Sequence, residues 1–184
     1  MMNLPKLKFN RLPFFVAVLM VCFLIMIVPS LLPVQSTAQK QATVQQNNVQ
    51  SQQASAASIF NNNLVVSGIT LIPFVGWGYL IFALWNTGVV IASYGHPWYW
   101  ILNNVFAWIE LAVYSYVILQ SWKLLSLFKQ RKTKFTDLDG KQVVRKTTGV
   151  YPEIAKTVAY TFIVMVVVLF VSAMLEYLLI RGAI

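Results

Sequence analysis

Four long apolar runs constrain the fold of this chain more than any other feature. They cover residues 12–34, 59–95, 97–122 and 154–180. A helix needs about 20 apolar residues to cross the hydrocarbon core of a bilayer, and each run reaches that length. The chain is 10% charged, whereas about a quarter of the residues in a soluble domain are charged. The sequence therefore predicts an all-α integral membrane protein, a polytopic transmembrane helical bundle.

The first apolar run follows a basic start, which is also how a signal peptide begins. The run at 12–34 is longer than the roughly 7 to 15 apolar residues of a signal peptide. We therefore interpret residues 1–34 as a cytoplasmic start and a retained anchor helix. Cleavage after the run, near the sequence STAQ, is the alternative.

The number of spans depends on the run at 59–95, which is long enough for two crossings. Pro73, Gly76 and Gly78 lie in its middle, where they would break or turn a helix. With five spans and a cytoplasmic N-terminus, all of the 14 Lys and Arg residues except Lys40 and Arg181 lie on the cytoplasmic side. This distribution satisfies the positive-inside rule. We predict five spans, and four spans plus a re-entrant element is the alternative.

Two polar segments separate the spans. Residues 35–57 are rich in Gln, Ser and Ala and predict an extracytoplasmic loop without a packed core. Residues 123–153 form a basic cytoplasmic loop, in which DLDGK predicts a turn between two short strands, TKFTD and KQVVR. The residues expected to contact anionic lipid headgroups, or a partner protein, are Lys129, Arg131, Lys132 and Lys134.

Polar side chains within the spans are the candidate functional residues, because each is costly in lipid. We select Asn86, Asn103, Glu110, Tyr114 and Glu176. Asn103, Glu110 and Tyr114 share one helical face, which should point into the bundle. Glu110 lies near the centre of the run at 97–122, whereas Glu176 lies near the outer end of the last span.

Glu110 has no Lys or Arg at comparable depth, so desolvation should keep it neutral. A neutral carboxyl group can join two helices by hydrogen bonds, and an amide such as that of Asn86 is the expected partner. The alternative is a proton- or ion-coupled transport role, because intramembrane acids also line transport pathways.

Enzymatic function is not expected from this sequence. Cys22 is the single cysteine and His96 the single histidine, so neither a disulfide framework nor a zinc site can be assembled. No Ser-His-Asp set, HExxH motif or phosphate-binding glycine loop is present. The net charge of +9 is accounted for by orientation in the membrane, and we expect no cofactor, no metal and no nucleic acid partner.

Four segments in order, SIFNNNL, LWNTGVV, AWIELAVY and AMLEYLL, resemble the stage II sporulation protein M family of prokaryotic multi-spanning membrane proteins. The resemblance concerns the membrane domain at 58–184. The residues that match the family pattern are Phe60, Asn61, Asn62, Asn86, Gly88, Glu110, Leu111 and Glu176. Phe106 and Ala107 stand where many members have His-Gly, and Ala112 stands where they have Pro.

The resemblance implies a role in the cell membrane. The family's namesake acts as a membrane platform that works with periplasmic cell-wall hydrolases. The absence of catalytic motifs and of a soluble domain, together with this resemblance, leads us to expect a non-enzymatic scaffold or a membrane subunit of a larger envelope assembly, with other membrane or envelope proteins or a second copy as partners. The layout also resembles permease subunits that pair with a separate ATPase. A transporter with a polar pathway through Glu110 and Asn86 is therefore the alternative.

Overall fold

A computed structural model of the protein describes residues 11–31, 55–92, 104–130, 132–136, 142–146 and 150–180. The helices are α1 (Arg11–Leu31), α2 (Ala56–Thr70), α3 (Val75–Ala92), α4 (Val105–Gln130) and α5 (Val150–Ile180). A hairpin of two strands, β1 (Lys132–Thr136) and β2 (Gln142–Lys146), lies between α4 and α5 in the chain.

Four of these helices, α1, α3, α4 and α5, are long and apolar enough to cross a membrane. The broad prediction of a helical membrane protein is thus confirmed. The remaining helix, α2, has 15 residues. At 1.5 Å per residue it is about 22 Å long, shorter than the roughly 30 Å hydrocarbon core.

The run at 59–95 is divided where its proline predicts. Leu71 to Phe74 form a tight turn that contains Pro73 and joins α2 to α3. Phe74 has a φ of 66°, a left-handed conformation that reverses the chain within these four residues. A Cβ atom on Gly76 would lie 2.6 Å from the Thr70 Cα, so glycine is what lets the two helices meet so closely. The two helices therefore form an antiparallel hairpin.

Side-chain contacts give the directions of α1, α3 and α4. Phe14, near the start of α1, contacts Trp122, near the end of α4, with ring centroids 6.4 Å apart. Phe23 stacks on Trp108 with ring centroids 4.9 Å apart. Phe23 follows Phe14 in α1, whereas Trp108 precedes Trp122 in α4, so the two helices are antiparallel. Gly88 lies near the end of α3 and packs against the backbone of α1 near the end of α1. Hence α1 and α3 run in the same direction.

The direction of α5 follows from two cavities. Glu110 and Glu176 line one of them, whereas Gln120 and Tyr160 line the other. From the first cavity to the second, the residue number rises along α4 from 110 to 120 and falls along α5 from 176 to 160. The two helices are therefore antiparallel. Helices α1, α3 and α5 therefore run one way, and α2 and α4 run the other way. The chain enters α1 at the end of the bundle where α4 ends and α5 begins.

The hairpin at that end agrees with the prediction made from DLDGK. Its strands are antiparallel, with pairs running from Lys132 opposite Lys146 to Thr136 opposite Gln142. The strand bounds are within a residue of the predicted TKFTD and KQVVR.

The Gln-rich loop predicted at 35–57 lies outside the described residues except for its last three, where Ser55 caps α2. The Ser55 hydroxyl accepts the backbone N–H of Ser58 at 3.1 Å, and the Ser58 hydroxyl accepts the backbone N–H of Ser55 at 3.0 Å.

Two apolar clusters form the core of the bundle. The larger joins α1, α3 and α4 and includes Cys22, Met26, Leu84 and Leu111. The smaller joins α4 to α5; its buried residues are Val113, Val117, Met165 and Leu169. Large apolar side chains on α1, α3 and α5 also face outward, which suits a surface in contact with lipid.

Candidate functional site

A cavity of about 430 Å³ lies inside the helical bundle, and we call it the polar cavity. Its walls come mainly from α2, α3 and α4, with Met26 of α1 and Glu176 of α5. The lining residues that carry polar groups are Asn62, Asn63, Tyr79, Thr87, Asn104, Glu110, Tyr114 and Glu176. The polar cavity therefore brings together polar residues of four segments that the sequence separates widely.

Glu110 and Tyr114 hold the buried amide of Asn63 between them. The Asn63 Nδ2–H group donates to the Glu110 Oε1 atom, and the Tyr114 hydroxyl donates to the Asn63 Oδ1 atom at 3.2 Å. Glu110 and Tyr114 are one turn apart on α4, so both reach the same residue of α2. Asn63 is 7% exposed and Tyr114 is 6% exposed. This network, which we call the amide bridge, connects α2 to α4.

The position of Glu110 along its helix differs from the prediction. The apolar run at 97–122 placed it near the middle of a span, but α4 begins only at Val105. The Asn104 side chain caps the helix there by accepting the backbone N–H groups of Phe106 and Ala107 at 3.1 and 3.2 Å. Glu110 consequently lies in the second turn of α4, about 7.5 Å from the helix start at 1.5 Å per residue.

Asn86 does not occupy its predicted place. Its side-chain amide is exposed and donates to the backbone carbonyl of Phe82, 3.0 Å away on the same helix. Asn63, not Asn86, is the amide that bonds Glu110, so that predicted pair was wrong. The next residue, Thr87, lines the polar cavity instead, and its hydroxyl donates to the Ala83 carbonyl at 3.0 Å. A rotation of one residue, about 100° on a helix, separates the two positions.

Glu176 supplies a second carboxylate to the polar cavity. It interacts electrostatically with Glu110, although it lies in the last turns of α5. None of the residues that line this cavity is a lysine, arginine or histidine. Two carboxylates without a cation suit either shared protons or a bound cationic group. The polar cavity is thus one part of the described structure where ligand chemistry can be placed.

The other residues selected from the sequence have different surroundings. Phe60 contacts Phe170 of α5 edge to face at 5.9 Å, and Leu111 is 1% exposed in the apolar core. Asn61 and Asn62 are both exposed, and of the two only Asn62 lines the polar cavity.

The remaining selected positions fall outside this cavity or outside the described side chains. Lys129 is exposed at the end of α4. Lys132 and Lys134 belong to β1, but only their backbone is described. Asn103 and Arg131 lie outside the described residues.

Gly88 has the packing role expected of a small residue in a membrane helix. A Cβ atom at this position would overlap the carbonyl oxygen of Met26 and would lie 3.1 Å from the Pro29 Cγ atom. Both of these neighbours belong to α1, so the absence of a side chain at Gly88 allows α1 and α3 to approach closely.

Two important residues, Asn63 and Tyr79, were not selected from the sequence. Asn63 is the last of three consecutive asparagines, and only helical phase distinguishes it from its two neighbours. Tyr79 lines the polar cavity from α3. An aromatic residue in an apolar run gives no signal of such a role.

The fold and the polar cavity define a helical membrane protein with an interhelical polar site. Within the described residues, no three His, Cys, Asp or Glu side chains come together as a metal ion would need. Comparison with protein-family models, curated proteins and solved structures finds no match for this chain.

Proposed function

We propose that this protein is a non-enzymatic membrane subunit of a larger envelope assembly in the cell membrane. The observation that carries the proposal is the amide bridge, in which Glu110 is used to hold one helix against another. The resemblance to the stage II sporulation protein M family supports the same role, as a platform for other membrane or envelope proteins. A second copy of the chain is a further candidate partner.

We further propose that the chain crosses the membrane five times, starting in the cytoplasm. Helices α1 and α3 run in parallel, which supports a return crossing by α2 between them. The basic hairpin is at the same end of the bundle as the start of α1, so both belong on the cytoplasmic side by the positive-inside rule. Local thinning of the bilayer can accommodate a helix as short as α2.

This topology is tested with single cysteines at the exposed residues Ser58, Ile72 and Lys129. The native Cys22 is buried and is replaced by Ala. A membrane-impermeant maleimide applied to vesicles of each orientation should label Ile72→Cys and Lys129→Cys from the cytoplasmic side, and Ser58→Cys from the opposite side. Labelling of Ser58→Cys and Ile72→Cys from one side would contradict a crossing by α2.

A second candidate function is transport of a proton or a small cation, as a carrier or as a permease subunit with a separate ATPase. The observation that favours it is that Glu176 faces the same polar cavity as Glu110. Such a pair can exchange protons or bind an ammonium or metal cation that enters the cavity. The pathway would follow Glu110, Glu176 and Thr87 and would not include Asn86.

Substitution of each carboxylate separates these two functions. In Glu110→Gln the new side-chain oxygen can still accept from Asn63, so the amide bridge is kept while the titratable proton is removed. Glu176→Gln removes the second carboxylate from the same cavity and serves as the matched variant. The readouts are folded protein recovered in mild detergent, the proteins that co-purify with it, and proton or cation uptake into proteoliposomes.

A scaffold predicts that both variants keep their yield and their partners, with no uptake in the native protein. Uptake by the native protein that is lost in both folded variants would contradict the scaffold and establish transport. Co-purification of an ATPase would point to a permease subunit, whereas co-purification of envelope proteins would support the platform role.

A further inference from the structure

A second cavity, of about 330 Å³, lies between α4 and α5 at the hairpin end of the bundle. We call it the interfacial cavity. Its lining residues are Gln120, Lys123, Glu153, Lys156, Thr157 and Tyr160. These residues offer two ammonium groups, an amide and two hydroxyl groups against one carboxylate. The chemistry differs from that of the polar cavity, whose two carboxyl groups have no lysine or arginine beside them.

The depth of the interfacial cavity matches the headgroup region of a bilayer. Lys123 follows Asn104, which caps the other end of α4, by 19 residues or about 28 Å, close to the roughly 30 Å of the hydrocarbon core. Trp122 lies next to Lys123 and stacks on Trp77 at 5.6 Å. Tryptophan is enriched at the boundary between lipid and water. This spacing places Lys123 at the edge of the hydrocarbon core, from where its ammonium group can reach lipid phosphates.

One residue that lines the interfacial cavity carries a buried polar atom with no hydrogen-bond partner in the described part of the chain. Thr157 is 4% exposed, and its Oγ1 atom has no hydrogen bond among the described residues. The backbone carbonyl of Thr157 accepts from Thr161, but this bond does not involve the Thr157 hydroxyl. A buried hydroxyl without a partner is costly, and a side-chain rotation that brought it to a ligand oxygen in the cavity would remove the cost.

We propose that the interfacial cavity binds the phosphodiester of an anionic membrane lipid, with Lys123 and Lys156 at the phosphate. A turn of the Thr157 side chain to its other helical rotamer would aim the hydroxyl at the cavity, where it can donate to a phosphate oxygen. Glu153 would repel a bare phosphate, but it can accept a hydrogen bond from a headgroup hydroxyl or ammonium group. Tyr160 is 63% exposed toward the lipid side of α5, where the acyl chains would lie. This site is independent of the functions proposed above.

The proposal is tested by thermal unfolding of the full chain in nanodiscs of phosphatidylcholine, with and without phosphatidylglycerol. The anionic lipid should raise the unfolding temperature, and its apparent affinity should fall about fivefold in Lys123→Gln and in Lys156→Gln, the effect of one basic residue at an anionic surface. Lys129→Gln removes the same charge at the same end but outside the cavity, so it measures the general attraction of the basic surface, and its loss of affinity should be smaller than that of the cavity variants. Lys156→Arg keeps the charge and should retain most of the binding.

Thr157→Val distinguishes a specific site from a general basic surface. In phosphatidylcholine alone this variant should be as stable as the native protein, because the hydroxyl that it loses has no partner. With phosphatidylglycerol present it should show a reduced stabilisation. Equal losses in Lys123→Gln and Lys129→Gln would overturn the proposal. Equal stabilisation by inorganic phosphate in phosphatidylcholine nanodiscs would overturn the assignment to a lipid.

Discussion

Replacing Asn63 by leucine should weaken the bundle, because it removes both hydrogen bonds of the amide bridge. The Tyr114 hydroxyl would be left buried without its acceptor, whereas Glu110 would still be open to water in the polar cavity. Hydrogen bonds between membrane helices contribute about 0.6 kcal/mol on average and up to about 1.7 kcal/mol. With the penalty for an orphaned hydroxyl, of about 1 kcal/mol or more, we expect a loss of about 2 kcal/mol in the free energy of unfolding.

Asn62→Leu is the matched control for this change. Asn62 is the preceding residue of the same helix and also lines the polar cavity, but its side chain is exposed. The same chemical change there should alter the free energy of unfolding by less than about 0.5 kcal/mol, as is usual for exposed positions. Unfolding by a denaturing detergent, followed by far-ultraviolet circular dichroism, measures both variants in the same micelles.

A double-mutant cycle makes the test specific to the amide bridge. Tyr114→Phe removes one hydroxyl and should cost about 1 kcal/mol, but it should cost little once Asn63 is leucine, because the acceptor is already gone. Additive effects of the two substitutions, or an equal loss of stability in Asn62→Leu and Asn63→Leu, would refute the reasoning.

Two further substitutions test how the helices pack. Gly88→Ala should destabilise the protein by about 1 to 3 kcal/mol because its new methyl group meets the α1 backbone. Gly78→Ala is the control and should be neutral or stabilising, because a Cβ atom there has no neighbour within 4 Å. Thermal unfolding in mild detergent compares the two variants. Trp77→Phe should cost about 1 kcal/mol by losing the hydrogen bond from its indole N–H to the Ser121 hydroxyl at 3.1 Å. The exposed Trp85 provides the control in the same assay, and an equal loss in Trp85→Phe would contradict this assignment.

Much of the fold could be predicted because hydropathy and turn chemistry are local properties. The apolar runs predict the membrane helices, Pro73 predicts the break between α2 and α3, and DLDGK predicts the hairpin. Each of these signals depends on residues close together in the chain. The start of α4 was missed because the capping residue, Asn104, lies inside a run that hydropathy treats as one span.

The site could be predicted only in part, because helical phase is local but the choice of neighbouring helix is not. Periodicity correctly grouped Glu110 with Tyr114 on one face of α4. Which amide meets that face depends on how α2 and α3 are rotated in the bundle. A change of one residue in the phase of α3 turns Asn86 outward and brings Thr87 to the cavity. Glu176 was expected near the outer headgroups, yet it lines the same cavity because α4 begins late and places Glu110 at a similar level.

The composition of α2 explains why a carboxylate is needed within the bundle. Its buried residues are Asn63, Val66, Ser67 and Thr70, of which only Val66 is a large apolar side chain. Lipid tails are as apolar as a helix surface, so burial against other helices provides little driving force inside a membrane. A short helix with such a buried face needs specific hydrogen bonds to stay in the bundle, and Glu110 with Tyr114 supplies them. Loss of the amide bridge should therefore release α2 before the other helices separate, so Asn63→Leu should increase hydrogen exchange in α2 more than in α3 or α5.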